Sequence, residues 1–387
     1  MTIKEIETPA ILVRKNAMEQ NLRKYQAECD KYNKALWPMV KTHKSTELCM
    51  MQKELGADGF LCGTLDECET LCKMGMENIM YAYPLAGEIS CRRAAKLAKQ
   101  CAFYARIDGL DAAMMLNAAA GEEDVIINYT IIIDCGLHRF GVAPEAAVSL
   151  AKQLRSFSHL HFVGISSHSG HVYGEADPDK VPSYALDEKT ALHTAAAALT
   201  ADGFDVQLVT TGSTPTFWGN VDDELINIYH PGNYIFNDCI QLGNHTATED
   251  ECALVIYATV ISHPRDDLFI CDAGAKCLGL DQGAHGNSSV IGHGRIIGHP
   301  ELVVYSLSEE VGKIHAEEST DLKVGDRIMI IPNHSCSAAN LTDYYILVDE
   351  KETVERLVTV DIRGNKTTKC SQADIRNPLQ DLPDSVK

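Results

Sequence analysis

The chain has 387 residues, with 34 lysines and arginines against 54 aspartates and glutamates, and a formal net charge of −20. A surface of that sign repels phosphate backbones and anionic headgroups, which sets nucleic acid and the membrane surface aside as partners. With 45% hydrophobic and 23% charged residues, the composition is that of an ordinary globular protein with room for one large domain and a smaller one.

Residues 1–7 contain no apolar signal core, and no window approaches the roughly 20 apolar residues that span a bilayer, so a cytoplasmic protein is expected. Residues 10–13 read as a short strand. Eight apolar runs follow, at 36–40, 59–63, 78–83, 101–107, 125–135, 159–167, 206–211 and 225–230. Between them lie stretches such as 64–73, 86–99, 144–155 and 186–200, whose apolar positions recur at helical spacing. Strand then helix, repeated eight times, predicts an α/β fold with a (β/α)8 TIM barrel over residues 14–240; an open doubly wound sheet is the competing architecture. After residue 240 the runs 253–261, 268–271, 302–307, 327–331, 344–348 and 357–362 are β-rich with few helices between them. They predict a β-domain of residues 241–387, which the strand within 1–13 joins, and a loosely held polar tail after Gln372.

Fourteen cysteines occur without one CxxC pair, so a zinc ribbon or thioredoxin-like site is excluded. In a reducing compartment most of them are expected to be buried thiols.

In a barrel the active site lies where the strands end. Lys41-Thr-His-Lys44 follows the first run, and Asp134-Cys-Gly-Leu-His-Arg139 ends the fifth. His168, His171 and Tyr173 follow the sixth, Gly212-Ser213-Thr214 the seventh and Gly232-Asn233-Tyr234 the eighth. Barrels commonly bind phosphate with the loops after strands seven and eight, through backbone N–H groups and small hydroxyls. Each loop taken singly also reads as a plain turn. Residues 37, 39 and 41 alternate to one side, so Trp37 and Met39 would fill interior layers beneath Lys41. A lysine there is either a solvated loop residue or an amine whose desolvation suits Schiff-base chemistry. A phosphate cradle and a buried amine together suggest pyridoxal 5′-phosphate.

Thr8-Pro9-Ala10, Pro38-Met-Val-Lys41-Thr-His-Lys44, Asp134-x-Gly136-x-x-Arg139-x-Gly141-Val142, Gly212-Ser-Thr-Pro215, Pro231-Gly-Asn-Tyr234, Asp272-Ala-Gly274 and Pro332-Asn-His334-Ser-Cys336 resemble, in order, the D-serine dehydratase and D-threonine aldolase family. The resemblance implies an alanine racemase-like enzyme with a site completed across a homodimer. It implies Lys41 as the Schiff-base lysine, Arg139 and Tyr173 around the cofactor ring, and Gly212, Ser213, Thr214, Gly232, Asn233 and Tyr234 around its phosphate. The sequence departs from the family at Trp37-Pro-Met39, where Arg-Pro-His is usual, which bears on the substrate more than on the cofactor.

On an extended backbone His334 and Cys336 would face the same way, and a thiolate with an imidazole favours zinc. Composition alone gives the pair no warrant; the resemblance does, and it implies Zn2+ on His334 and Cys336. The expected reaction is the dehydration of D-serine, or of another 3-hydroxy-D-amino acid such as 3-hydroxyaspartate, to an oxo acid and ammonia. Lys41 takes the Cα proton and zinc helps the hydroxyl leave. An aldolase giving glycine and an aldehyde is the alternative, with His168 or His171 as its base unless these are strand-end histidines bonded to backbone. A D-amino acid racemase and a non-catalytic cofactor carrier are disfavoured by the metal pair, and the carrier also by the β-rich third of the chain.

Overall fold

The computed structural model describes residues 1–283 and 286–363. The expectation for the tail after Gln372 lies outside these residues. Strand β1 (Ala10–Arg14) and helix α1 (Lys15–Lys31) precede the barrel. Its strands are β2 (Ala35–Leu36), β3 (Gly59–Cys62), β4 (Asn78–Tyr81), β5 (Ala102–Ile107), β6 (Ile127–Ile132), β7 (Leu160–Ser166), β8 (Leu208–Thr211) and β9 (Ile228–Tyr229). Helices α2 (Thr46–Glu54), α3 (Leu65–Lys73), α4 (Glu88–Ala98), α5 (Leu110–Glu122), α6 (Ala147–Leu154), α7 (Val181–Ala201) and α8 (Phe217–Asn220) alternate with them, and α9 (Cys239–Gly243) follows.

The eight strands form one parallel sheet in the order β2-β9-β8-β7-β6-β5-β4-β3. A parallel bridge between Met39 and Leu61, with the Leu61 N–H donating to the Pro38 carbonyl at 3.0 Å, brings its two edges together. An open doubly wound sheet would leave those edges apart. Local chemistry agrees with this layout: Thr64 caps α3 in a reciprocal capping box with Glu67, and α7 buries an alanine-rich face of Ala191, Leu192, Ala195, Ala196 and Leu199.

The first run is a shorter strand than the sequence suggests. Pro38 has no N–H to give to a ladder, so β2 ends at Leu36, and Val40–Thr42 forms a single helical turn. Lys41 therefore rides on that turn and not on a strand. Trp37 and Met39 do share one buried interior cluster with Leu61, Met80, Ala82 and Ile228.

The second sheet contains β1 and β10 (Leu254–Arg265), β11 (Leu268–Cys271), β12 (Gly294–Ile296), β13 (Leu302–Leu307), β14 (Gly312–Ala316), β15 (Arg327–Pro332), β16 (Tyr344–Val348) and β17 (Val354–Thr359). Strand β1 runs antiparallel to β10 and parallel to β16, so the start of the chain closes the middle of this sheet. Strands β12 and β14 escape the sequence reading because each is short and opens on a glycine, which β-propensity disfavours. The last strand begins three residues earlier than the run 357–362, at Val354, where exposed Glu355 and Arg356 precede the apolar pair Leu357-Val358. Two short helices, α10 (Ala275–Leu278) and α11 (Ser335–Ala339), interrupt the β-domain. Thirteen cysteines among the described residues are free thiols, most of them buried. No helix among the described residues is long and apolar enough to cross a membrane.

Candidate active site

A cavity opens at the C-terminal ends of the barrel strands and is covered by the turn between β15 and α11. Lys41, Arg139, Tyr173, Gly212, Ser213, Gly232, Asn233, His334 and Cys336 all line it. Residues separated by up to 295 positions thus meet in one place because α11 packs on the turn that carries Lys41. That turn is braced from several sides. The Tyr345 hydroxyl donates to the His43 carbonyl at 2.6 Å, and Lys44 forms a buried ion pair with Glu67, which also accepts the Gly63 N–H at 2.6 Å.

Among the described residues the cavity wall carries Lys41, Arg106 and Arg139 and no carboxylate. In a chain of net charge −20 that is an anion-seeking site. Arg106, 4% exposed at the end of β5, donates from Nε to Ser166 Oγ at 2.8 Å and from Nη2 to the Ser167 carbonyl at 3.0 Å. Burial, with Arg139 nearby, pulls its pKa down to about 10. Arg139 lies over the rings of Tyr83 and Phe140, at 6.0 and 5.0 Å.

The loops after β8 and β9 form one wall. Gly212 must be glycine here, since a Cβ would come within 2.5 Å of the His230 backbone; a Cβ on Gly232 would lie 2.9 Å from Thr42 Oγ1. The Thr214 N–H donates to Tyr173 Oη at 3.1 Å, and burial raises the tyrosine pKa. Thr214 Oγ1, Asn233 Oδ1 and His230 Nε2 are buried polar atoms without a partner. Orphaned groups of this kind call for a polar partner, a ligand or ordered water. Tyr234 is different: its ring packs against Tyr25 and its hydroxyl accepts from Gln52 at 3.0 Å, so only its backbone borders the loop.

His168 lines the cavity with Nδ1 on the Gly212 carbonyl, and burial, reinforced by the Lys41 charge, lowers its pKa to about 3. His171 packs on Tyr184 outside the cavity wall.

The His334/Cys336 pair differs from the strand geometry expected of it. His334 is the extended N-cap of α11 and Cys336 lies inside the helix, because β15 ends at Pro332. The two side chains still interact: burial opposes ionisation of both, but the imidazolium and thiolate outweigh it, raising the His334 pKa well above its ordinary value and lowering that of Cys336. His334 Nδ1 bonds Asp281 Oδ1 at 3.1 Å, fixing the ring and its tautomer as carboxylates do behind metal-bound histidines. No cluster of three or more potential metal ligands occurs among the described residues. A borderline-soft pair of this kind suits zinc, with the remaining positions left for water or substrate.

Arg106, His230 and Gln241, which also line the cavity, and Asp281 behind His334 are not marked by any sequence motif. Arg106 had a legible signal, a guanidinium inside an otherwise apolar strand run; Asp281, in an irregular stretch, had none.

A barrel with a β-domain, a lysine on the turn beyond the first barrel strand and glycine loops after β8 and β9 match the alanine racemase class of pyridoxal-phosphate enzymes. The chain belongs to the family "Alanine racemase, N-terminal domain", which it matches over residues 13–238, and residues 253–348 match the "Putative serine dehydratase domain". It is 27% identical over 374 residues to D-threo-3-hydroxyaspartate dehydratase of Delftia sp., covering 92% of this chain and 98% of the other. It is also 27% identical over 388 residues to D-serine dehydratase of Dictyostelium discoideum, covering 91% and 96%. The crystal structure of D-threonine aldolase from Filomicrobium marinum matches with a TM-score of 0.86 at 26% identity, covering 94% of this chain and 97% of that one. A D-threo-3-hydroxyaspartate dehydratase variant solved in a metal-free form matches at 0.85 and 25% identity, covering 93% and 99%.

Proposed function

We propose that the protein is a pyridoxal-phosphate- and zinc-dependent lyase that dehydrates a 3-hydroxy-D-amino acid, D-serine or a close relative, to an oxo acid and ammonia. The observation that carries the reading is the meeting, in one cation-lined cavity, of Lys41, the two loops at Gly212 and Gly232, and the His334/Cys336 pair.

In this reading Lys41 would bond the cofactor covalently, Gly212, Ser213, Thr214, Gly232 and Asn233 would hold its phosphate, and Tyr234 would contribute backbone alone. Arg139 and Tyr173 flank the ring. Pyridoxal phosphate withdraws electrons from the Cα of an amino acid joined to it, which acidifies the Cα proton. The Lys41 amine, which lines the same cavity, would be placed to take that proton. His334 and Cys336 would hold zinc, which would supply Lewis acidity toward the 3-hydroxyl, and Asp281 orients His334. The released enamine takes up water and loses ammonia. A metal-free form of a relative with this architecture supports a metal requirement.

An aldolase is the second reading. It is favoured by the likeness to D-threonine aldolase and by His168, whose Nδ1 is committed to Gly212 while Nε2 stays available to a substrate hydroxyl. A homodimer belongs to the same proposal: Leu280 and Leu341, 68% and 41% exposed, flank the outer mouth beside Lys41 and Cys336, where a second copy would cover them.

Incubation with a panel of D-amino acids, scored for oxo acid, ammonia and glycine with and without chelator, tests the reading. Pyruvate and ammonia from D-serine, lost on chelation, is the expected result; glycine and aldehyde would transfer the assignment to the aldolase.

A further inference from the structure

Glu188 lies on α7 behind the loop that follows β8, is fully buried, and bonds only neutral groups. Its Oε1 meets the Ser169 N–H at 2.9 Å and the Thr211 hydroxyl. Its Oε2 meets Asn220 Nδ2 at 2.7 Å and Thr216 Oγ1 at 2.9 Å. Thr216 Oγ1 in turn lies 2.8 Å from Ser213 Oγ, which lines the cavity. A chain of hydroxyls therefore runs from a buried acid to the anion loop.

The direction of that chain decides what Ser213 offers. If Glu188 is a carboxylate, Thr216 donates to it, Ser213 donates to Thr216, and only lone pairs of Ser213 remain for the cavity. If Glu188 is a neutral acid, Oε1 accepts from Ser169 and Thr211, and Oε2–H accepts from Asn220 and donates to Thr216. Thr216 then donates to Ser213, whose O–H is left for a ligand. Both forms satisfy every one of these contacts, and the neutral form avoids a buried charge to which no cation hydrogen-bonds. Burial raises the pKa of Glu188 in the same sense, and the charged or titratable groups facing it are Arg106 from β5, Cys135 after β6 and Tyr229 from β9, none of which hydrogen-bonds to it.

We propose that Glu188 is a positioning residue which, through Thr216, turns the Ser213 hydroxyl outward as a donor and so adapts the loop 212–216 to a phosphate monoester dianion. The proposal rests on the reading that the cavity takes pyridoxal phosphate.

The test is the affinity of the full-length protein for pyridoxal 5′-phosphate and for pyridoxal, which lacks the phosphate, in wild type, Glu188→Ala, Glu188→Gln and Thr216→Val. Thr216→Val breaks the relay while leaving the other Glu188 contacts in place, and serves if Glu188→Ala does not fold. Glu188→Ala and Thr216→Val are expected to lose about tenfold or more in affinity for the phosphorylated ligand with little change toward pyridoxal. Glu188→Gln, whose amide N–H groups can donate to Thr216 as the acid does and to the unpartnered Asn220 Oδ1 once that amide turns over, is expected to keep wild-type preference within about threefold. Equal losses for both ligands, an unchanged preference in Thr216→Val, or a glutamine variant as weak as alanine overturns the proposal. A wild-type protein that binds neither ligand overturns the cofactor reading, and this inference with it, before any variant is compared.

Discussion

Asp238 accepts the backbone N–H of Ser335 on Oδ2 at 2.9 Å, across 97 residues of sequence. The same oxygen accepts from Asn233 Nδ2 at 2.6 Å, while Oδ1 caps α9 through Ile240 and Gln241. One buried carboxylate thus fastens the loop after β9 to the turn bearing His334 and Cys336. Asp238→Ala leaves these donors buried and unpaired, and is expected to cost about 3 kcal/mol of stability. Urea unfolding measures it; a loss below about 1 kcal/mol, the worth of one ordinary hydrogen bond, would refute the linking role.

Lys41→Ala should fold like wild type, since the side chain makes no ion pair among the described residues. Turnover is expected to fall by about a thousandfold, within the usual contribution of a general base, and the absorbance of bound cofactor should no longer survive denaturation after borohydride treatment. Retention of borohydride-fixed cofactor by the variant would exclude Lys41 as the attachment point.

His334→Ala and Cys336→Ala should each purify with less than one zinc per chain, read by mass spectrometry of the metal, and lose about two orders of magnitude in turnover. Asp281→Asn keeps the ligands but removes the charge behind His334, so metal affinity should drop roughly 10–100-fold. Full turnover after thorough chelation would remove zinc from the reaction.

Three buried histidines predict an acid-side stability limit. Burial lowers the pKa of His43 to about 4, and those of His168 and His230 to about 3. Unfolded imidazoles titrate near 6.5, so between about pH 6.5 and pH 4 the unfolded chain binds more protons than the folded one. The stability they contribute is complete above about 6.5 and is lost as pH falls. Thermal midpoints recorded from pH 7.5 down to 4.5 should decline, and His43→Gln should flatten the slope; a midpoint independent of pH over this range would count against neutral buried histidines.

Much of this was legible in the chain itself. The eight β/α repeats and the order of strand-end motifs identify the barrel and the face that carries Lys41, Gly212 and Gly232, because periodicity and glycine content are local properties. Arg106 and Glu188 were harder to read. A single charge within an apolar run or on an alanine-rich helix acquires meaning only when the groups facing it are known, and those come from other strands. Tyr234 shows the converse: it lies in the right motif, yet the rotation of its turn sends the ring into the Tyr25 cluster and away from the cavity.

The sequence by itself determined the fold class and the family and marked Lys41 and the loops at Gly212 and Gly232 as candidates, since each is encoded in contiguous residues whose spacing survives any arrangement of the rest. Tertiary structure decided what those pieces share. It put the His334 turn on the Lys41 turn, replaced the expected strand pair by a helix-capping one, and set Asp238 and Glu188 as the buried acids behind the two loops. The reason is that hydrogen bonds and desolvation act between residues adjacent in space, and pairs such as Asp238 and Ser335 become neighbours only after both sheets have formed.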